Sequence, residues 1–153
     1  MRSISLMTAV ALTERSERTL WRWIADGTIT RIGDGAAGKT MIALDSIKPY
    51  LCVPVDPENF DLIENADTSG EAQNELAQLF LANNKPEGAI YWLEQSAKQG
   101  CADAMQWLGQ CYIGGNGVER DEDIGIMWIA KAATHGHLIA QHQMRGMRAK
   151  ICG

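Results

Sequence analysis

The sequence predicts a mainly α-helical protein made of two modules, and three observations support this prediction. The 153 residues leave room for two small domains. Residues 1–52 contain seven Lys or Arg and five Asp or Glu, whereas residues 53–153 contain seven and fourteen, so the net charges are +2 and −7. A pattern of paired helices recurs within the acidic part. Such a division is typical of two modules with different partners.

Composition excludes several classes of protein. Hydrophobic residues make up 46% and charged residues 22% of the chain, which is typical of globular proteins and excludes disordered and fibrous ones. The net charge of −5 argues against a protein whose whole surface binds nucleic acid or anionic membrane. No segment approaches the roughly 18 apolar residues of a membrane span, and the apolar stretch 4–12 is too short and interrupted for a leader peptide. Four cysteines do not suggest a disulfide framework, so we expect a cytoplasmic protein with reduced thiols and no membrane partner.

The N-terminal module is predicted to contain two helices and a β-hairpin. Leu6–Leu12 predicts the first helix, and Ser16 is predicted to cap a second helix that ends at Gly27. Two runs of β-favouring residues, Thr28–Ile32 and Thr40–Leu44, flank a glycine-rich segment, which is typical of a hairpin.

A final short helix, Ser46–Cys52, is predicted to be capped by Asp45 and limited by Pro49. The module also carries a motif, at Ser16, Arg18, Thr19, Leu20, Arg22, Trp23, Ile24, Gly27 and Ile29, then Asp45, Ile47, Tyr50 and Leu51. On these residues it resembles the small winged helix-turn-helix domains of phage excisionases and MerR-like regulators. The resemblance implies that Ser16–Ile24 is a recognition helix for the major groove and that Gly33–Thr40 is the tip of the wing.

We therefore expect the N-terminal module to bind double-stranded DNA, as part of a bacterial-type transcription regulator. Arg18 and Arg22 lie four residues apart on the polar face of the second helix, within reach of phosphates or guanine edges. Arg31 and Lys39 on the wing are placed to contact the adjacent backbone. The predicted DNA-binding residues are Ser16, Arg18, Thr19, Trp21, Arg22, Arg31 and Lys39.

The small positive charge leaves a second interpretation open. About four cations directed at phosphates predict weak, salt-sensitive binding, so specific binding would require a dimer or a partner protein. The alternative is a protein–protein adaptor that uses both modules for protein contacts and does not bind DNA. Trp21 lies on the polar face of the second helix and either packs on the rest of the chain or contacts a partner or DNA.

Residues 53–70 are predicted to be a linker, and residues 71–153 to form the C-terminal module. The linker contains Pro54, Pro57 and five acids but no base. This composition favours a solvated segment with at most a short helical turn at residues 60–65.

An internal repeat covers most of the C-terminal module. Trp92, Ala97 and Gly100 recur 36 residues later as Trp128, Ala133 and Gly136, and Ala104 recurs as Ala140 at the start of a truncated third unit. Each unit predicts two helices because apolar residues recur at helical spacing. In the second unit these are Ala102–Ile113 and Ile124–Thr134, with a cluster of acids at the start of the latter.

The second unit carries a specific motif at Ala104, Leu108, Gly109, Tyr112, Gly115, Gly117, Val118, Asp121, Trp128, Lys131, Ala132, Ala133 and Gly136. Over about residues 71–148 the chain resembles the Sel1-like repeat family. The resemblance implies a short, tetratricopeptide-like α-solenoid that binds a protein partner and has no catalytic activity of its own. Gly125 stands where the family usually has alanine, which predicts a helix weakened by about 1 kcal/mol. We expect the ends of so short a solenoid to be covered by the linker, the C-terminal helix or a second copy of the chain.

Other patterns have simpler interpretations. Gly33–Thr40 also satisfies the nucleotide-binding pattern G-x-x-x-x-G-K-[ST], but Pro49 interrupts any long helix after it and no further strands follow. We predict no metal or other cofactor, because the spacing of three histidines and one cysteine gives no firm ligand geometry: His135, His137, His142 and Cys152. Four tryptophans are predicted to lie in the core, Trp23, Trp92, Trp107 and Trp128. No nucleophile–base or paired-carboxylate arrangement predicts an enzyme.

Overall fold

The computed structural model describes residues 2–35 and 38–152 and is mainly helical. The chain divides into two compact units, Met1–Thr68 and Ser69–Gly153. Among the described residues, no helix combines the length and the apolar character needed to cross a bilayer.

The first unit combines a small sheet with short helices. Its strands are β1 (Ser3–Ser5), β2 (Arg31–Asp34) and β3 (Thr40–Ala43). All pairings are antiparallel, in the order β1-β3-β2. Its helices are α1 (Leu6–Thr13), α2 (Glu17–Asp26), α3 (Leu44–Ile47) and α4 (Phe60–Glu64). The fully buried large side chains of this unit are Ile4, Leu12, Leu20, Ile29, Ile42, Leu44, Ile47 and Ile63.

The predicted helices α1 and α2 and a β-hairpin are confirmed, although β2 lies at Arg31–Asp34 and not at the predicted Thr28–Ile32. The Ser16 hydroxyl accepts a hydrogen bond from the Thr19 amide at 3.1 Å, which caps α2. Gly27 ends the helix with φ of 83°, a left-handed conformation that glycine adopts without strain. Local chemistry alone thus defines both ends of α2.

Three local features differ from the prediction. Strand β1 was not predicted, because three residues give no readable periodicity and Ser3 and Ile4 are held by pairing with β3. Asp45 does not cap a helix: α3 begins without a side-chain cap, and the Asp45 carboxylate instead pairs with Lys48 at 2.6 Å. A 3-10 turn, Lys48–Tyr50, follows α3 and contains Pro49, so the last helix is short, as predicted.

The segment predicted as a linker lies largely within the first unit. It contains a 3-10 turn at Pro57–Asn59 and then α4, with Val53, Ile63 and Ala66 buried. Two of its acids, Asp61 and Glu64, pair with the Arg2 guanidinium at 3.2 and 3.5 Å. Some acids of this segment therefore form ion pairs with another part of the first unit, and the segment is not acidic only because it is solvated.

Asp67 attaches the end of this segment to the start of the sheet and of α1. Its carboxylate accepts hydrogen bonds from the Ser5 amide at 2.9 Å, from the Thr8 hydroxyl at 2.6 Å and from the Ser5 hydroxyl. Ser5 and Thr8 are both buried, so these donors depend on Asp67 for satisfaction.

In its described part, residues 69–152, the second unit forms five helices. They are α5 (Gly70–Ala82), α6 (Pro86–Lys98), α7 (Ala102–Gly114), α8 (Glu122–Thr134) and α9 (Leu138–Cys152). Helices α5 and α6 form one hairpin, α7 and α8 form the second, and α9 packs on α8. The Asp121 side chain caps α8 by accepting from the Ile124 amide at 3.0 Å, which explains the acids at its start.

The tryptophans divide by environment. Trp92 is fully buried, as predicted, whereas Trp23 and Trp128 are only partly buried. Trp107 is 43% exposed, so its assignment to the core is wrong. The helical spacing of the sequence groups Trp107 with apolar residues of α7. In the structure the face that carries Leu108 and Cys111 is buried, and Trp107 lies outside that face.

Helices α7 and α8 cross in direct contact at two glycines. A Cβ atom on Gly125 would lie 2.6 Å from Ile113 Cγ1 and 2.8 Å from the Gly109 carbonyl oxygen. A Cβ on Gly109 would lie 2.6 Å from Ile129 Cγ1 and 2.8 Å from the Gly125 carbonyl oxygen. The sequence-based view of Gly125 as a weak point is therefore wrong, since the absence of a side chain permits the crossing.

We expect Gly125→Ala to destabilise the second unit by about 1–3 kcal/mol, because the added methyl group collides with backbone. Gly146→Ala is the matched control, since Gly146 lies in the exposed part of α9 with open space around it. That substitution is expected to stabilise by about 0.5–1 kcal/mol through helix propensity. Urea unfolding followed by circular dichroism measures both, and a stabilised Gly125→Ala variant would contradict the close crossing.

In the first unit, Asp67→Ala is expected to lower stability by about 1–3 kcal/mol, because it leaves the buried Ser5 and Thr8 donors without their acceptor. Asp56→Ala, an exposed acid of the same segment, is expected to change stability by less than about 0.5 kcal/mol. Thermal unfolding of the two variants makes the comparison, and equal midpoints would show that Asp67 has no anchoring role.

Candidate functional site

The exposed face of α2 carries most of the predicted DNA-binding residues. Arg18 and Arg22 are exposed and lie one turn apart on this helix. Within the described part of the chain, neither arginine forms a salt bridge. Arg22 interacts electrostatically with Asp26, whose pKa is lowered chiefly by hydrogen bonds from Thr28 and to a smaller extent by this arginine. Both guanidinium groups are therefore available to an anionic partner.

Ser16 and Thr19 lie at the start of α2 and have structural roles. Their hydroxyl oxygens are 2.9 Å apart, and the Ser16 hydroxyl also caps the helix. Both residues are at the surface, with Thr19 partly buried.

Trp21 lies on the same helix and is 41% exposed. Its indole N–H donates to Glu17 at 3.5 Å, and the Arg31 guanidinium lies 6.0 Å from the ring centroid. Arg31 also pairs with Asp34 at 2.7 Å, so one of the two predicted wing cations is partly neutralised. Ile32, next to Arg31, is 45% exposed and adds an apolar surface to the hairpin.

The hairpin geometry decides between the two interpretations of the glycine-rich segment. Gly35 donates its amide to the Lys39 carbonyl at 2.6 Å, and β3 starts directly after Lys39, antiparallel to β2. A phosphate-binding loop needs a helix at this point, so the nucleotide-binding interpretation is wrong. The Lys39 side chain is exposed, and Ala36 and Ala37 of the predicted wing tip lie outside the described residues.

The second unit contains an open groove of about 550 Å³ with an acidic lining. It lies at the N-terminal ends of α5 and α7 and at the turn before α9. The acids are Glu71, Glu75 and Asp103, all exposed. Asn74 also lines the groove, and its side-chain oxygen is buried without a hydrogen-bond donor among the described residues.

His137 forms one wall of this groove, and both nitrogens of its ring have hydrogen-bond partners. Its Nδ1 accepts the Ala140 amide at 3.2 Å, so the proton of the neutral ring is on Nε2. Nε2 lies 2.7 Å from Asp103 Oδ1 and donates to it. The ring thus caps α9 and ties its start to the start of α7.

The repeat itself signals this role. Ser69 and Cys101 each stand directly before the first residue of a repeat. His137, 36 residues after Cys101, holds the same position before α9. A polar side chain at that position is expected to accept a hydrogen bond from a backbone amide in the first turn of the following helix.

The described residues contain no cluster of three or more side chains suited to a metal ion. Cys111 is buried, and burial raises the pKa of its thiol. Cys101 and Cys111 are free thiols, and the Cys152 side chain lies outside the described part of the chain.

Comparison with known proteins concerns the second unit. Residues 70–101 and 102–137 match the family described as Sel1 repeat. A crystal structure of a Sel1 repeat protein from Oxalobacter formigenes is similar, with 28% identity and a TM-score of 0.52 over 56% of this chain and 26% of that one. The chain thus spans about a quarter of that protein. The C-terminal Sel1 repeats predicted from the sequence are confirmed, whereas the winged-helix resemblance of the first unit stays a prediction.

We expect His137→Ala to accelerate amide hydrogen exchange in the first turn of α9, because the loss of a helix cap costs about 0.5–2 kcal/mol. His137→Asn, which retains a capping acceptor, is expected to restore most of the protection. His142→Ala, at an exposed position of the same helix, is the control. Equal exchange in the His137→Ala and His142→Ala variants would contradict the capping role.

Proposed function

We propose that this protein is an adaptor that binds a protein partner through its Sel1 repeats and contacts double-stranded DNA through α2 and the β2–β3 hairpin. The observation that carries the protein-binding part is the pair of Sel1 repeats at residues 70–137. Repeats of stacked helices present extended surfaces to other proteins and are not built around a reaction centre.

The acidic groove supports a basic segment as the partner at that surface. Glu71, Glu75 and Asp103 line it without a lysine or arginine among the lining residues. A lysine- or arginine-bearing segment would gain charge complementarity there, which favours rapid and selective association.

The DNA-binding part is supported by the placement of cations in the first unit. Arg18 and Arg22 share one exposed face of a helix that is capped at both ends, and Lys39 is exposed on the neighbouring hairpin. A helix that presents two arginines without a salt bridge to any described residue, beside a β-hairpin, is suited to lie in the major groove while the hairpin contacts phosphates.

A second candidate function is an adaptor that uses the α2 face for protein contact without DNA. The exposed Trp21 and Ile32 favour it, because large apolar side chains are typical of protein interfaces. The Arg31–Asp34 pair favours it as well, since it reduces the positive charge of the hairpin.

The two candidates are separated by a titration of labelled genomic duplex fragments with the full chain, followed by fluorescence anisotropy at several salt concentrations. We expect micromolar binding at low salt with a log–log salt slope of about −3 to −4, as three or four phosphate contacts require. The Arg18→Ala/Arg22→Ala variant is expected to bind at least about tenfold more weakly.

The control is Arg145→Ala/Arg148→Ala, which removes the same charge from exposed positions of α9. It is expected to bind DNA as the unmodified chain does. Binding no tighter than about 10⁻⁴ M at low salt, or equal losses in both double variants, would reject DNA contact through α2 and leave the protein-only adaptor.

A further inference from the structure

Helix α9 is the first helix of a repeat whose second helix is missing from the described part of the second unit. In the two complete repeats, α5 packs on α6 and α7 packs on α8. Helix α9 packs on α8 but has no such hairpin partner among residues 69–152. Among the described residues, the surface of α9 that a second helix would cover is therefore left uncovered.

An open groove of about 340 Å³ marks this position. It runs between α8 and α9, and its lining residues are Ala130, Ala133, Thr134, Gln141, Met144, Arg145 and Arg148. Alanines on one side and Met144 on the other form an apolar floor, and the two arginines are exposed at its edge. We call it the α8–α9 groove.

The internal repeat shows which kind of structural element covers the equivalent surface of α7. With the 36-residue shift, Met144, Arg145 and Arg148 correspond to Leu108, Gly109 and Tyr112 of α7. Helix α8 covers that surface: Gly109 lies against its Ile129, and the Tyr112 carbonyl accepts the Asp121 amide at 2.9 Å. A helix that runs along α9 in the same direction would bring its N-terminal end beside Arg148, at a wider spacing than that of α7 and α8 because Arg145 stands where α7 has Gly109.

Charge further defines the occupant. Helix α9 carries three bases and no acid, whereas residues 69–137 carry nine acids and four bases. Arg145 and Arg148 form no salt bridge with any residue that the structure describes. Acidic side chains at the N-terminal end of an incoming helix would pair with them.

We propose that the α8–α9 groove is a docking site for an acidic amphipathic helix of a partner protein. Its apolar face lies on Ala130, Ala133 and Met144, and its acidic first turns lie against Arg145 and Arg148. This inference rests on the protein-binding part of the proposed function, but it uses a surface of opposite charge from the acidic groove.

A symmetric pair of α9 helices is disfavoured as the occupant. In a twofold interface the same surface faces itself, so Arg145 and Arg148 of one copy would approach those of the other. Like charges placed opposite one another oppose association.

A defined probe tests the site, namely a labelled peptide of residues 121–135 held helical by a side-chain staple. This segment is α8 with its cap, the helix that covers the equivalent surface of α7, and it begins with Asp121, Glu122 and Asp123. Anisotropy with the full chain is expected to show saturable binding that weakens as salt is raised. The Arg145→Glu/Arg148→Glu variant, and a peptide with its three acids replaced by lysine, are each expected to bind at least tenfold more weakly.

The Arg18→Ala/Arg22→Ala variant is the matched control and is expected to bind the peptide as the unmodified chain does. No saturation up to about 1 mM peptide, or equal affinity for the charge-reversed variant, would overturn the proposal. Sedimentation velocity of the protein alone adds a further outcome: an oligomer that Arg145→Glu/Arg148→Glu dissociates would show that a second copy fills the groove, which also overturns it.

Rejection of the α8–α9 groove as a docking site would not by itself reject the proposed function. A Glu71→Lys/Glu75→Lys variant tests the acidic groove separately with a lysine-rich peptide. If that peptide binds the unmodified chain and not this variant, the protein-binding function stands while the α8–α9 groove is rejected. If neither groove binds its peptide, the protein-binding part of the proposed function fails as well.

Discussion

The second unit depends on the contact between Gly109 and Gly125, where α7 and α8 approach too closely for any side chain. The preceding hairpin has alanines at the matching places, Ala77 and Ala89, both fully buried. A step from alanine to glycine brings the axes of two helices closer and lets the flanking Ile113 and Ile129 pack over the crossing. Because each helix of a solenoid rests mainly on its neighbours, this crossing also helps to set the position of α9, which packs on α8.

The same arrangement separates the charges of the second unit into two surfaces. The turns that start α5, α7 and α9 gather Glu71, Glu75 and Asp103 around one groove. The last helix places Arg145 and Arg148 at the edge of another. A single net charge for this part of the chain conceals that division, and two surfaces of opposite sign suit two partners better than one.

The proposed function of the first unit rests on how a short module holds α2 with its outer face uncovered. Leu20 is fully buried, and it fixes the orientation in which Arg18, Trp21 and Arg22 are exposed. The segment after Val53 contributes to the stability of this module through Ile63 and the hydrogen bonds of Asp67. Its acids are accordingly part of the architecture, and the positive surface of the hairpin is reduced by Asp34.

The sequence by itself determined the features that depend on near neighbours along the chain. The ends of α2 follow from Ser16 and Gly27, and the positions of the two repeats, residues 70–101 and 102–137, follow from residues that recur along the chain. It also placed Arg18 and Arg22 on one helix face, because that needs only the helical period.

Only the tertiary structure decided the features that depend on distant partners. Strand β1 exists because β3 pairs with it, and Asp67 is an anchor because two buried hydroxyl groups lie about sixty residues away in the chain. Gly125 changes from a weak point to a requirement once Gly109 is opposite, and His137 becomes a cap once Asp103 holds its ring. The physical reason is the same in each case: steric contact and hydrogen bonding depend on distance in space, which the spacing of residues along the chain does not contain.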